Sequence, residues 1–341
     1  MTRRSSSVTI RDVAKQAGVS VATVSRYINQ TAAVSPEVAV RLNDVMDMLK
    51  YVPHATARNL ATQKTNAIGL LLTYNIYGDF FAPLLRGIEE VTTEAGLNLL
   101  IASRHPGANG RIPAALGPQN TDGLLVYVDS LNNAELAHLY DINFPVVLIH
   151  RTSPSRLNIP AVTVENKAAS RKIVDHLIEH HHRKKIIFLR GPENQEDSYW
   201  REMGYRASLE SHGIQYKPEL VLPGEFEREV AHTTIIELVM AGVEFDAVFA
   251  GDDEAAVGVL GALRETGKRV PEDIAVIGFD DQNRTAQYLI PPLTTVRAPT
   301  EEVGRVAAKQ LVNLIRYGQA DPLTLLPTEI VIRQSCGCQL E

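Results

Sequence analysis

The stretch Thr9–Asn29, TIRDVAKQAGVSVATVSRYIN, most narrowly limits what this chain can fold into. Thr9 is a suitable N-cap, and Asp12 follows three residues on, at the positive end of the helix that would begin there. Ile10, Val13, Ala14 and Ala17 then share one helical face. Gly18 supplies a tight turn and Ser20 caps a second helix. In that helix Val24 and Ile28 face inward, while Val21, Ala22, Ser25 and Arg26 share the outward side. A third helix starts at the Ser35 cap with Pro36 in its first position, and Val38, Leu42, Val45 and Leu49 form its stripe. Two short helices around a three- or four-residue turn make a helix-turn-helix unit, whose second helix enters the major groove. Periodicity alone leaves a plain helical bundle as the alternative.

Charge separates this head from the rest. Residues 1–65 hold nine Lys/Arg against four acids, a surplus of five that leaves −11 on the remainder of a chain whose total is −6. A basic head on an acidic body suits a phosphate-backbone partner for the head only. Hydrophobic residues make up 45% and charged residues 22%, the composition of a globular chain and not of a disordered one. No apolar run approaches the roughly 20 residues of a membrane span. The start, MTRRSSS, has no apolar stretch after it, so no secretory signal and no membrane partner are expected, and a cytoplasmic location is. Two cysteines, Cys336 and Cys338, offer no disulfide framework.

From Ala67 onward apolar runs alternate with amphipathic ones. Strands are expected at Ala67–Thr73, Leu97–Ser103, Gly123–Val128, Pro145–His150, Lys185–Leu189, Ala247–Ala250 and Ile274–Gly278, with a last strand-like stretch at Glu329–Arg333. Helices are expected near 80–95, 166–181, 198–212, 229–241, 253–266 and 300–317. This pattern gives an α/β, doubly wound arrangement with parallel sheets, in which ligands sit beyond the carboxyl ends of the strands. No G-x-G-x-x-G follows a strand and no G-x-x-x-x-G-K-[ST] occurs, so dinucleotide and P-loop sites are unsupported and no cofactor is expected.

Val8–Asn29 matches V-T-I-x-D-V-A-x-x-A-G-V-S-x-x-T-V-S-R-x-x-N throughout. In this the chain resembles the LacI–GalR family of transcriptional regulators, and the likeness continues to the other end. By position, the resemblance makes Val21, Ala22 and Arg26 the base-reading residues, with a Val-Ala pair of the gal-repressor-like kind. Chemistry agrees: Arg26 can grip guanine O6 and N7 bidentately, and Val21 and Ala22 offer apolar contact to a thymine methyl. Thr9, Ser20, Ser25 and Asn29 are then phosphate anchors, which position the helix without reading sequence; capping alone is the simpler role for Thr9 and Ser20. Tyr51–Leu60, YVPHATARNL, resembles the family hinge Y-x-P-N-x-x-A-R-x-L. By position, the resemblance makes His54, Ala57 and Leu60 its DNA contacts, and His54 departs from the usual Asn or Ser. The stretch from His54 to Ala61 is too short for a helix stable alone. Leu60 takes the place of the leucine that wedges into the minor groove.

The resemblance implies three parts: a helix-turn-helix domain at 1–51, a hinge at 52–66, and an effector-binding and dimerisation domain at 67–341 built like periplasmic sugar-binding proteins. Its two Rossmann-like subdomains cover about 67–164 with 297–327, and about 165–296 with 328–341, joined by crossovers near Glu165, Arg297 and Thr328. Effector contacts fall by position on Phe80 and Phe81 after the first strand and on Glu165, where the family usually has Asp. They fall also on Asp197 and Arg201 in the D-x-x-x-R-x-x-G-[YFW] pattern, and on Phe226, Asp252 and Asp280. Carboxylates accept from hydroxyls, Arg201 donates a fork, and aromatic rings cover an apolar ring face, so the set suits a sugar-like ligand. Asp253 reads better as a helix N-cap than as a contact, and Phe80 or Phe81 as core. One segment departs: RHPGANGRIPAALGPQNTDGL replaces a regular helix, so a truncated or irregular one is expected there.

Two further clusters are weighed here. His176, His180, His181 and His182 lie in HLIEHHHRKK; His176 and His180 at i, i+4 have metal-pair spacing, but a helix end favours cationic groups without any ion. Cys336 and Cys338 lack a second cysteine pair to complete a four-ligand site, so no metal is expected. With no heptad tail after Glu329–Arg333, a homodimer is expected, which would place two recognition helices on a near-palindromic double-stranded operator. The expected function is a repressor controlled by a small-molecule effector, inducer and corepressor both being physically admissible. A periplasmic-type binding protein would account for the second half but not the head. An enzyme using the cleft carboxylates as acid and base has no recognisable nucleophile–base pair or metal set.

Overall fold

The computed structural model describes residues 8–29, 32–51, 64–73, 80–104, 112–281 and 285–339. The chain divides into two compact units, Met1–Thr65 and Asn66–Glu341.

In the first unit, helices α1 (Ile10–Ala17), α2 (Val21–Asn29) and α3 (Pro36–Leu49) enclose a small core of Val13, Ala14, Ala17, Val24, Leu42 and Val45. Ile10, Ile28, Val38 and Leu49 pack against its edge, half-buried. At the start of α1 the Thr9 N–H and hydroxyl both donate to Asp12 Oδ2, at 2.8 and 2.7 Å, fixing the chain's entry into the first turn. Gly18 closes α1 in the left-handed conformation (φ 65°) that only glycine enters at no steric cost. Ser20 Oγ then accepts the Thr23 N–H at 3.0 Å, and the Ser35 side chain caps α3.

The second unit contains two six-stranded sheets. The first has the order β11-β5-β4-β3-β1-β2 and is parallel throughout. Its strands are β1 (Ala67–Thr73), β2 (Asn98–Arg104), β3 (Leu124–Tyr127), β4 (Val146–Ile149), β5 (Ala161–Val164) and β11 (Leu323–Leu326). The second has the order β12-β10-β9-β8-β6-β7, from β6 (Ile186–Arg190), β7 (Val221–Pro223), β8 (Ala247–Ala250), β9 (Ala275–Asp280), β10 (Thr294–Arg297) and β12 (Glu329–Val331). Only the β10–β12 pair is antiparallel among these ladders.

Helices cover both sheets. α4 (Phe81–Ala95), α5 (Asn133–Asp141) and α11 (Thr300–Tyr317) serve the first, and α6 (Asn166–His181), α7 (Glu196–Ser211), α8 (Arg228–Met240) and α9 (Asp253–Glu265) the second; α10 is the short turn Thr285–Tyr288. Because both faces are covered, β1, β4, β8 and β9 are almost uniformly buried, which is why they read as unbroken apolar runs. The chain passes from sheet to sheet three times: between β5 and α6, between β10 and α11, and between β11 and β12. In the Gly- and Pro-rich segment, residues 105–111 lie outside the described set, and the remainder contains one 3₁₀ turn, Ala114–Leu116, in place of a regular helix. No described helix is long and apolar enough to cross a membrane.

Candidate DNA-reading face and effector cleft

On α2 the apolar side is buried through Val24, which leaves the opposite side outside the core. Val21, Ala22 and Arg26 are exposed there, Val21 at 42% despite its aliphatic side chain. Ser20 is exposed and already caps α2, Thr9 is tied to Asp12, and Asn29 Nδ2 donates to Ser25 Oγ at 3.2 Å. The hinge residues His54, Ala57 and Leu60 lie outside the described residues.

In the second unit, side chains at or just past the carboxyl ends of β3, β8 and β9 meet Phe80 and Phe81 at the start of α4 around one cavity of about 350 Å³, toward the small end of the roughly 300–1,000 Å³ typical of small-molecule sites. Phe80, Phe81, Tyr127, Asp197, Arg201, Phe226, Asp252 and Asp280 line it, with Gln195, Glu227, Arg228, Glu229 and Glu254. Arg201 is its centre. The guanidinium donates from Nε to Asn166 Oδ1 (2.9 Å), from Nη1 to the Gly251 carbonyl (2.7 Å) and from Nη2 to Asp280 Oδ1 (3.1 Å). The Phe279 ring lies 3.7 Å from the guanidinium carbon, and Phe226 5.4 Å. Asn166 Nδ2 in turn donates to Asp197 Oδ1 at 2.7 Å. These partners on every side define the pose of the arginine. Gly204, three residues on, makes this possible: a Cβ there would come within 2.4 Å of the Lys167 carbonyl, so only glycine lets α7 lie this close to α6.

Aromatic rings form the other wall. Phe80, Phe81, Tyr127 and His150 cluster with centroids 5.2–6.0 Å apart. His150 is buried; its Nδ1 lies 2.9 Å from Asp197 Oδ2 but off the line of a hydrogen bond, and Nε2 has no hydrogen-bond partner among the described residues. Burial works to raise the Asp197 carboxyl, yet the His150 ring, Arg201 and the Asn166 amide together hold it below its usual range. Asp252 behaves oppositely: burial, then the charge of Asp280, push it up to about 8. A neutral Asp252 accepts the Ala255 N–H at 2.8 Å and retains a proton to donate. Burial raises the Tyr127 hydroxyl well above its ordinary value. The cavity therefore offers ionised acceptors, a proton donor, an arginine and ring faces within one small volume.

A larger and more open groove of about 860 Å³ shares Phe80 and Asp280 with this cavity and runs along the crossovers. Its charges largely satisfy one another: Arg86 with Glu301, Arg297 with Asp281 and Glu329, and Arg305 with Glu301 and Glu302.

Two expectations are corrected, and one cluster gains further members. Glu165 is exposed at the start of α6 and does not line the cavity; the turn out of β5 points it away, and its neighbour Asn166 is buried and bonded to Asp197 and Arg201. The N-cap of α9 is Asp252, not Asp253, whose Oδ1 accepts the Thr295 hydroxyl at 2.6 Å. His176 does pack against His180, with ring centroids 4.9 Å apart, but it and His181 also meet Cys336 and Cys338. Tyr127, His150 and Asn166 were not anticipated, although Tyr127 and His150 stand at the carboxyl ends of expected strands, where such folds bind ligands.

Residues 9–54 match the lacI family of bacterial regulatory proteins, and residues 174–336 match the periplasmic binding protein-like domain. Along the chain, a probable HTH-type transcriptional repressor, ExuR of Bacillus subtilis, is 31% identical over 96% of this chain and 98% of its own length. This chain belongs to the LacI family. It is a DNA-binding transcriptional regulator, and such regulators are not enzymes. The regulator CelR of Thermobifida fusca is 32% identical over 96% of this chain and 98% of its own length. A solved CelR–cellobiose complex is 30% identical, covers 96% of this chain and 99% of its own, and superposes with a TM-score of 0.73. The lac repressor dimer bound to operator shares the LacI-family fold at a TM-score of 0.81 and 24% identity, covering 97% of this chain and 99% of its own.

Proposed function

We propose that this LacI-family regulator is a repressor that binds a near-palindromic operator as a homodimer and is controlled by a sugar-like effector held in the Arg201 cavity. The single observation that carries the effector reading is the bonded set of buried Arg201, Asn166 and Asp280 with half-buried Asp197, opposite an aromatic wall. Hydroxyl-rich molecules need that combination: charged acceptors and donors around the rim of a ring, and apolar surface against its face. The CelR relative was solved as its cellobiose complex, which supports the same ligand class. Val21, Ala22 and Arg26 would read base edges, Thr9, Ser20, Ser25 and Asn29 would hold phosphates, and His54, Ala57 and Leu60 would engage the DNA from the hinge. Residues 1–51, 52–66 and 67–341 would act as reader, hinge and sensor. Closing the two sheets of the sensor on the effector would change the order of the hinge, and DNA affinity and effector affinity would then change each other reciprocally.

The test is a thermal-shift screen of the full chain against sugars, sugar acids and sugar phosphates, since a ligand that binds only the native state raises its stability. A hit that is lost in Asp197→Asn supports the reading. No hit, or a hit unaffected by Asp197→Asn and Phe226→Ala, overturns it.

A further inference from the structure

Away from the cleft, the end of α6 and the last turn of the chain bring together four side chains that sequence separates widely. His176 and His181 come from α6, and Cys336 and Cys338 from the turn after β12. One ligating atom of each lies within 4.8 Å of all the others. Cys338 Sγ is 3.6 Å from His176 Nε2 and 3.3 Å from His181 Nε2. Ligands at Zn–S of about 2.3 Å and Zn–N of about 2.0–2.1 Å in a tetrahedron stand roughly 3.3–3.8 Å apart. Both separations fall in that range and the remaining ones lie within 4.8 Å, so seating an ion requires the four ligating atoms to draw together by up to about an ångström.

We propose that His176, His181, Cys336 and Cys338 form a structural Zn²⁺ site. Two thiolates and two imidazoles are a donor set that zinc takes tetrahedrally, with no position left open for a substrate. On binding, each thiol releases its proton to solvent, the two sulfurs form Zn–S bonds, and each neutral imidazole contributes its Nε2 lone pair; nothing is oxidised or reduced.

The surroundings are built for this. Cys336 is fully buried, and its Sγ accepts from the Thr294 hydroxyl at 3.1 Å, a bond that stabilises a thiolate and orients it. Thr294 Oγ1 is itself held by the Arg333 N–H at 2.8 Å. Between the cysteines, Gly337 sits at φ +113°, a conformation side-chain-bearing residues rarely adopt, and a Cβ there would meet His181 Nδ1 at 3.0 Å. Glycine at this one position lets the turn bring both sulfurs onto the histidine pair. His182 ends α6 in the left-handed conformation, and His180 and His182 are exposed, outside the set. The ion would tie the last turn of the chain to the far end of the helix whose first residue, Asn166, positions Arg201 and Asp197.

The test uses the full, untagged chain under reducing conditions, stripped with a chelator, dialysed against ZnSO4 and freed of excess ion. Elemental analysis is expected to give one zinc per chain, and Co²⁺ in its place the visible and near-ultraviolet bands of a tetrahedral thiolate complex. Cys338→Ser and His181→Ala, at half-buried positions, are expected to lose the metal and the cobalt spectrum while keeping a native circular dichroism spectrum. His180→Ala is expected to keep both. Zinc is expected to raise the thermal midpoint of the parent chain and of His180→Ala only. No bound zinc in the folded parent chain, or equal binding by Cys338→Ser and His181→Ala, overturns the proposal, as does a Cys336–Cys338 disulfide that persists under reductant and excludes the ion.

Discussion

Replacing Arg201 by alanine removes the hub of the cleft and exposes how much it contributes. Its side chain is only 4% exposed, and it donates to Asn166, the Gly251 carbonyl and Asp280, whose side chain is 5% exposed. The cost comes mainly from what remains: the buried Asp280 carboxylate and Gly251 carbonyl, both deprived of the guanidinium. Breaking one side of a buried ion pair costs about 3–5 kcal/mol. In a unit of this size each kcal/mol moves the thermal midpoint by about 2 °C, so Arg201→Ala is expected to melt about 6–10 °C lower. The assay is calorimetry of the parent, Arg201→Ala, Asp280→Asn and the double variant. The double variant is expected to recover much of the loss, since the stranded charge is gone. A single variant within about 1 kcal/mol of the parent, or a double variant whose loss equals the sum of the two singles, would refute the reasoning.

Three other consequences follow from the same geometry. Asp252 at about 8 in the fold, against roughly 3.9 in the unfolded chain, keeps a proton that the unfolded chain gives up between those values. Its contribution is fully present below about pH 4 and declines as pH rises toward 8, at about 1.4 kcal/mol per pH unit. Asp252→Asn, which retains the cap on α9, should flatten urea-midpoint profiles across that window; an unchanged slope contradicts the assignment. Gly204→Ala should cost about 1–3 kcal/mol in urea unfolding, because its Cβ meets backbone atoms and not a flexible side-chain end. Arg26→Ala should weaken binding to a selected operator by about 1–3 kcal/mol and relax preference at one base pair; filter binding to single-base operator variants reads both, and uniform weakening across all variants would make Arg26 a phosphate contact instead.

Most of the fold was written in patterns local enough to read. The reader domain follows from its caps, Gly18 and the stripe through Val13, Ala17, Val24 and Leu42. Of the seven strand runs that stand out, all but β2 are largely buried on both faces, because helices cover the sheets. What escaped notice was short or polar. β7 has only three residues, and β11 alternates exposed and half-buried positions in place of a buried apolar run. β10 begins with Thr294 and Thr295, whose hydroxyls are buried against Cys336 and Asp253, a satisfaction that no periodicity reveals. α5 has only Leu136 and Leu139 fully turned inward. In the cleft, the motif pattern pointed to Arg201 and Asp280, which line the cavity, and to Glu165, which does not, while its neighbour Asn166 is the residue bonded to Arg201 and Asp197. The direction of that turn depends on β5 leaving one sheet as α6 joins the other. The histidine–cysteine cluster is a tertiary fact: α6 and the final turn meet only once the second sheet is assembled.

The central claim is that occupancy of the Arg201 cavity changes the affinity of the reader for DNA. Its most direct measurement is fluorescence anisotropy of the full chain on a palindrome obtained by operator selection, with and without a saturating cleft ligand, at one fixed salt concentration. The account predicts an affinity change of about 5–150-fold with ligand, and none when Asp197→Asn removes ligand binding. The same operator affinity with the cavity full and with it empty would contradict it.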